Sequence, residues 1–262
     1  MTEALLPAVA LWHREIVRFV RQRSRITGAL AQPLVFWLLL GGGFNASFQP
    51  AGTPQGTSYV AYFYPGTILM VLLFTAIFAT IATVEDRKAG FLQGVLVAPV
   101  PRWSVVLGQA LGGTTLAVVQ GMLFMLLAPL LGIGLSVASF LCTTLVMILI
   151  ALALTSLGLM IAWRMDSTQG FHAIMNLILL PIWILSGALF PQNGAPAPLH
   201  LLMALNPLTY GMAALRRCLY LGDPTAAGAV APMGLSLFIT VLFCAATFAG
   251  AVRVASRPTA AA

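Results

Sequence analysis

Charge is what this chain has least of. Asp, Glu, Lys and Arg make up 7% of its 262 residues, where a soluble domain carries about 25%. Only six residues are acidic and three are histidine. His13, His172 and His200 fall on different segments, so neither a histidine-centred metal site nor a His-based triad is expected. GxSxG and HExxH are absent, and without GxxxxGK[ST] the chain has no nucleotide-binding loop of its own. The adjacent carboxylates Glu85 and Asp86 point ~100° apart on a helix and do not form a catalytic pair. The three cysteines, Cys142, Cys218 and Cys244, lack metal spacing and suggest no disulfide pair, so they are expected as small buried apolar residues. No basic stripe is interleaved with aromatics, which argues against nucleic acid as a partner.

What is present is apolar length. Sixty per cent of the residues are hydrophobic and the mean hydropathy is +0.98. The fold class is therefore all-α integral membrane, because solid apolar runs of ~20 residues suit helices and not alternating barrel strands. Six runs qualify, at about 27–44, 59–84, 104–131, 135–163, 171–190 and 230–252. They form one transmembrane domain over 27–254, between an N-terminal helix at 1–26 and a short tail at 255–262. The N-terminal segment is read as retained and not as a cleaved signal. The runs carry essentially no ionisable residue, whereas proton- and ion-coupled transporters keep such residues at membrane depth. Gln32, Gln109, Thr114, Thr115, Gln120, Thr143, Thr144 and Asn176 are expected to hydrogen-bond between helices, and Gly108 and Gly112 to let two helices approach closely. Eleven of the thirteen Lys and Arg fall before the first run, between alternate runs and after the last, leaving Arg216 and Arg217 on the other side. By the positive-inside rule both termini and the 84–109 loop are cytoplasmic, in a plasma (bacterial inner) membrane.

Three segments between or before the spans carry pattern. On a helical wheel Leu5, Val9, Trp12, Ile16 and Phe19 fall within ~80°, opposite Arg14, Arg18, Arg21 and Arg25. This predicts an interfacial amphipathic helix on membrane lipid. Residues 85–98 read as a second helix, crowned by Glu85, Asp86, Arg87 and Lys88, with Phe91, Leu92, Val95 and Leu96 on one edge and Pro99 and Pro101 as its stop. A short helix with an apolar edge between two spans suits a soluble partner that grips it. Residues 45–58 read as an outer loop. Within 191–229, PLHLLMAL and NPLTYGMAALRRCLYLG read as two helices too short to span, lying on or dipping into the outer face.

EDRKAGFLQGVLVAPVPRWSVVLGQ resembles the coupling-helix signature of ABC-2 type exporter permeases. SGALFP at 186–191 with LNPLTYGMAALR at 205–216 resembles the same family's outer re-entrant segment. Together with the span layout, the resemblance covers residues 10–253, and its overall pattern is closest to the daunorubicin or multidrug-resistance branch. It implies a permease subunit, not an enzyme, that binds no cofactor itself. A separate ABC ATPase subunit would use ATP and Mg, and two permease chains would pair, as a homodimer. The ATPase would contact Glu85, Arg87, Gly90, Phe91, Leu92, Leu96 and Pro99, and would grip the interfacial helix with its Trp12, Arg14, Arg18 and Arg21. Asn206, Pro207, Tyr210 and Arg216 would form the outer gate. The substrate would be a drug or lipid-like amphipath, with a polysaccharide or lipo-oligosaccharide as the alternative cargo and a non-transporting scaffold as a further one. The chain departs from the family pattern at Gln93, where many members carry Glu, and at Gly94, where a larger residue is common.

Overall fold

The computed structural model describes residues 2–44, 58–193 and 195–256. The expected outer loop thus lies outside the described residues apart from Ser58, as does the tail beyond Ser256. Every regular element among the described residues is helical: α1 (Thr2–Arg21), α2 (Arg23–Phe44), α3 (Tyr59–Lys88), α4 (Phe91–Val97), α5 (Arg102–Met125), α6 (Val137–Ala162), α7 (Thr168–Trp183), α8 (Ala197–Leu205), α9 (Pro207–Leu219) and α10 (Met233–Ser256). A 3-10 turn at Ala128–Leu131 follows α5, and a π-helical turn at Ile184–Ala188 extends α7. Among the described residues, six helices are long and apolar enough to cross a membrane: Ile26–Phe44, Tyr59–Lys88, Arg102–Met125, Val137–Ala162, Thr168–Ala188 and Met233–Ser256. They coincide with the six runs read from the sequence to within a few residues.

α3 is the axis of the bundle. Of its most apolar window 89% is buried, against 22% for α2 and 28% for α10. It packs against α2, α5 and α6, while α10 packs on α6 and α9. Alternation of direction gathers the ends of α3, α6 and α10 and the starts of α5 and α7 at one end of the molecule, here the charged end. There a small core of Leu11, Leu92, Val105, Val106, Ala110, Leu159, Trp163, Ala251 and Ala255 ties α1, α4, α5, α6 and α10 together. Across helices, Thr75 on α3 donates to Gln120 on α5 at 2.8 Å, and Trp12 Nε1 on α1 donates to Thr115 on α5 at 3.0 Å. Thr144 instead donates within its own helix to Phe140 O.

Two readings of the sequence are corrected. First, residues 85–98 are not one helix. Glu85 to Lys88 form the last turn of α3, Gly90 breaks the chain at φ +75°, and the short helix begins only at Phe91. A left-handed φ favours glycine, and two helices meet there at an angle a continuous helix cannot make. α1 turns Ala8, Leu11, Glu15 and Phe19 onto the bundle and leaves Leu5, Leu6 and Val9 exposed, so of the stripe read for the lipid surface Phe19 is the member buried within the chain. Shape decides this. A Cβ on Gly108 would lie 2.5 Å from Ala8 O, and one on Gly112 would lie 2.7 Å from Glu15 Cβ, so α1 and α5 meet backbone to backbone along small residues. Second, Cys142 of α6 and Cys218 of α9 are joined in a disulfide, and only Cys244 is free and buried. Their separation of 76 residues hid the pairing from a reading of spacing.

Candidate functional site

The charged end is built around two carboxylates placed where a helix disfavours them. Glu85 and Asp86 sit in the C-terminal turn of α3, whose partial negative charge repels them. Arginines from α1 offset that repulsion. Arg14 grips Asp86 with both terminal nitrogens, at 2.6 and 2.8 Å. Arg18 reaches Asp86 at 2.6 Å and Glu85 at 2.5 Å. Bidentate, charge-assisted pairs of this kind fix orientation as well as adding energy. The hydrogen bond to Asp86 raises Arg14 above its ordinary range, against the opposing effect of burial, so Arg14 stays charged. Its guanidinium also lies 3.8 Å over the Phe91 ring. One arginine therefore fastens α1 to α3 and to the start of α4.

Arg87 points the other way. It donates to Trp163 O at 2.6 Å and pairs with Asp166 at 3.3 Å, bracing the end of α3 against the α6–α7 turn. On α4, Leu92 is buried in the small core while Phe91, Gln93, Gly94 and Val97 face outward, Val97 at 87% exposure. Pro99 is exposed in the extended link to α5. Leu96 belongs to the helical backbone of α4, and its side chain lies outside the described residues. Of the predicted contact residues, then, Glu85 and Arg87 brace the bundle, Gly90 shapes the turn, and Phe91 packs beneath Arg14. Arg14 and Arg18 face α3, and Arg21 is exposed. The sequence reading placed Asp86 in the charged crown but overlooked it as the hub. Its one signal was a carboxylate near the C-terminus of an apolar helix, which needs a distant cation.

At the opposite end, α8 and α9 pack against the π-helical turn. Asn206 caps α9 by accepting from Leu208 N at 3.0 Å and donating to Ile182 O at 2.7 Å. Pro207 follows at the first helical position, where a missing N–H costs nothing. Tyr210 donates to Ala204 O at 2.9 Å, closing the α8–α9 corner. Arg216 is buried and donates to Tyr62 O and Gly187 O, both at 3.2 Å. Trp183, Tyr59 and Tyr62 also reach this region: Trp183 Nε1 donates to Gly66 O, Tyr59 to Leu189 O and Tyr62 to Gly187 O. The four predicted residues thus share one end, where Asn206, Tyr210 and Arg216 fix backbone. The sequence reading missed Tyr62, Gly187 and Trp183, whose partners lie more than a hundred residues away or in an irregular turn.

This arrangement of six spans, a short helix at one end and two packed helices at the other coincides with a family match. The sequence profile of the ABC-2 type transporter family matches residues 8–220. The chain belongs to the ABC-2 type transporter family. As a member it is a multi-pass membrane permease subunit, not itself catalytic. Nodulation protein J of Rhizobium leguminosarum bv. viciae is 28% identical over 255 residues, which cover 94% of this chain and 96% of that protein. Nodulation protein J of Rhizobium meliloti is 28% identical over 231 residues, covering 84% and 86%. A protein of Cyanophora paradoxa named as the transport permease ycf38 is 28% identical over 208 residues, covering 78% and 70%.

Proposed function

We propose that this permease exports a substrate from the cytoplasm or inner leaflet, driven by a separate ABC ATPase that docks on the charged end. The observation that carries the reading is the construction of that end. α4 is held to the bundle by buried Leu92 and by Phe91 under Arg14, yet its outward face is exposed among the described residues, Val97 at 87%. A force applied to that face is transmitted to α3 and α1 through Asp86 and to α5 through the Pro99–Pro101 link. Two chains would pair, so that two ATPase subunits close on two such ends. ATP and Mg would be bound by the partner, and both termini would face it. The inner membrane of a bacterium is the setting that fits this orientation.

For cargo, the largely apolar bundle favours an amphipathic, lipid-like molecule or drug. A polysaccharide or lipo-oligosaccharide is the second reading; the alignment with nodulation protein J over nearly the whole length of both chains places this permease beside relatives without a drug-resistance name. The test of cargo class is transport into inverted vesicles holding the permease and its ATPase. Uptake of a fluorescent amphipathic drug supports the first reading. Uptake of a lipid-linked saccharide with no drug movement supports the second.

A further inference from the structure

At the end opposite the Arg14–Asp86 cluster, a cation is buried with no acid paired to it among the described residues. Arg216 is 3% exposed. Its Nη2 donates to two carbonyl oxygens, and its guanidinium lies 4.0 Å over the Tyr62 ring. Carbonyls and a ring face soften a positive charge but do not neutralise it. Of the acidic residues, Glu15, Glu85, Asp86 and Asp166 belong to the charged end. Asp223 accepts from the Thr225 hydroxyl at 2.5 Å and from the Thr225 and Ala226 amides. The contrast with the charged end is direct: Arg14 and Arg18, less buried than Arg216, share two carboxylates. A guanidinium this deep is costly unless something anionic meets it.

Arg216 opens on a cavity of about 40 Å³, and no carboxylate lines it among the described residues. Tyr62, Ser186, Gln192 and Thr209 supply its polar wall. Residues 227–231 supply another wall, held by Arg217, which donates from Nε to Ala231 O at 2.8 Å and from Nη2 to Val230 O at 2.9 Å. A water needs ~10–15 Å³ of such space, so the cavity admits a carboxylate or the face of a phosphate, and not a sugar ring or a drug.

We propose that this cavity binds one anionic oxygen group, a phosphate or carboxylate, through charge-assisted hydrogen bonds to Arg216. The group arrives either free in solution or as the headgroup of a lipid. The inference does not depend on which way the chain faces or on what drives it. A guanidinium acting only as a strut between α3 and Gly187 would make the same contacts and take no ligand, and the test separates the two.

The experiment uses the full chain in neutral phosphatidylcholine nanodiscs, carrying Gln192→Cys. The native cysteines are paired or buried, so the new thiol is the reactive one. Its rate of modification is measured with a methanethiosulfonate bearing a sulfonate and with one bearing a trimethylammonium. The anionic reagent should react about tenfold faster or more. That preference should persist in Arg216→Lys and collapse toward parity in Arg216→Gln. Inorganic phosphate and dioctanoyl phosphatidic acid are then tried as protecting agents. Protection by both identifies a site for free anions, and protection by the lipid alone identifies a headgroup site. Equal rates for the two reagents, or protection by neither compound, overturns the proposal. Should Arg216→Gln fail to fold, the Arg216 parent decides by itself, because its preference must weaken as ionic strength rises.

Discussion

Asp86 is the residue on which the charged end turns. It is 4% exposed and holds two arginines of another helix. Replacing it with Asn leaves Arg14 and Arg18 half-buried without their common partner, and should cost about 2–3 kcal/mol, below the roughly 3–5 kcal/mol of a fully buried pair because both arginines keep some solvent. Glu85, about a third exposed and paired with Arg18, should tolerate Gln with a loss of about 0–1 kcal/mol. Thermal unfolding of the two variants in detergent checks the order; equal losses would mean that Asp86 is not the hub. Little at this scale was legible in advance. The four adjacent charges were visible, but the arginine that pairs with Asp86 lies 72 residues away. Sequence order carries no record of which distant cation a carboxylate meets. The Cys142–Cys218 bond stayed hidden for the same reason.

At the scale of elements, the short helix after Gly90 is where reading and structure diverge most usefully. Periodicity ran through Glu85 to Leu96 without interruption, since a single glycine does not break a helical pattern on paper. The left-handed backbone at Gly90 does break it, and it moves the charges from the start of one helix to the end of another. Gly90→Ala should therefore cost about 1–2 kcal/mol through strain at positive φ. The expected readout is a lower Tm with unchanged membrane insertion; an unaltered Tm would show that the turn is not needed. The two faces of α4 should also separate. Leu92→Asp puts a charge into the small core and should destabilise the fold by about 3 kcal/mol or more. Val97→Asp changes a side chain that meets solvent and should lie within about 0.5 kcal/mol of the parent. Comparable losses for both would place Val97 inside a packed interface of this chain.

For the whole molecule, the six spans were legible because the membrane fixes the length of an apolar helix and forbids open backbone. Their arrangement was not. α3 and α10 are almost equally apolar, yet one is the axis and the other is peripheral, with 89% and 28% of their apolar windows buried. Hydropathy measures compatibility with lipid, and lipid and a protein interior are similarly apolar. The peripheral faces of α2 and α10 remain for lipid or for a second chain. Orientation follows from charge alone and has a simple check. A cysteine at Ser58 should react with an impermeant thiol reagent from outside the cell and one at Ala89 should not; the reverse pattern would invert the molecule. The most direct test of the account is co-purification. The neighbouring reading frame is searched for an ABC ATPase, the two chains are co-expressed and isolated together, and vanadate-sensitive ATP hydrolysis is measured for the parent and for Val97→Asp. A stable, active complex that Val97→Asp disrupts, with the permease still folded in the membrane, is the predicted result. A complex that forms and turns over equally well with Val97→Asp would contradict docking on α4.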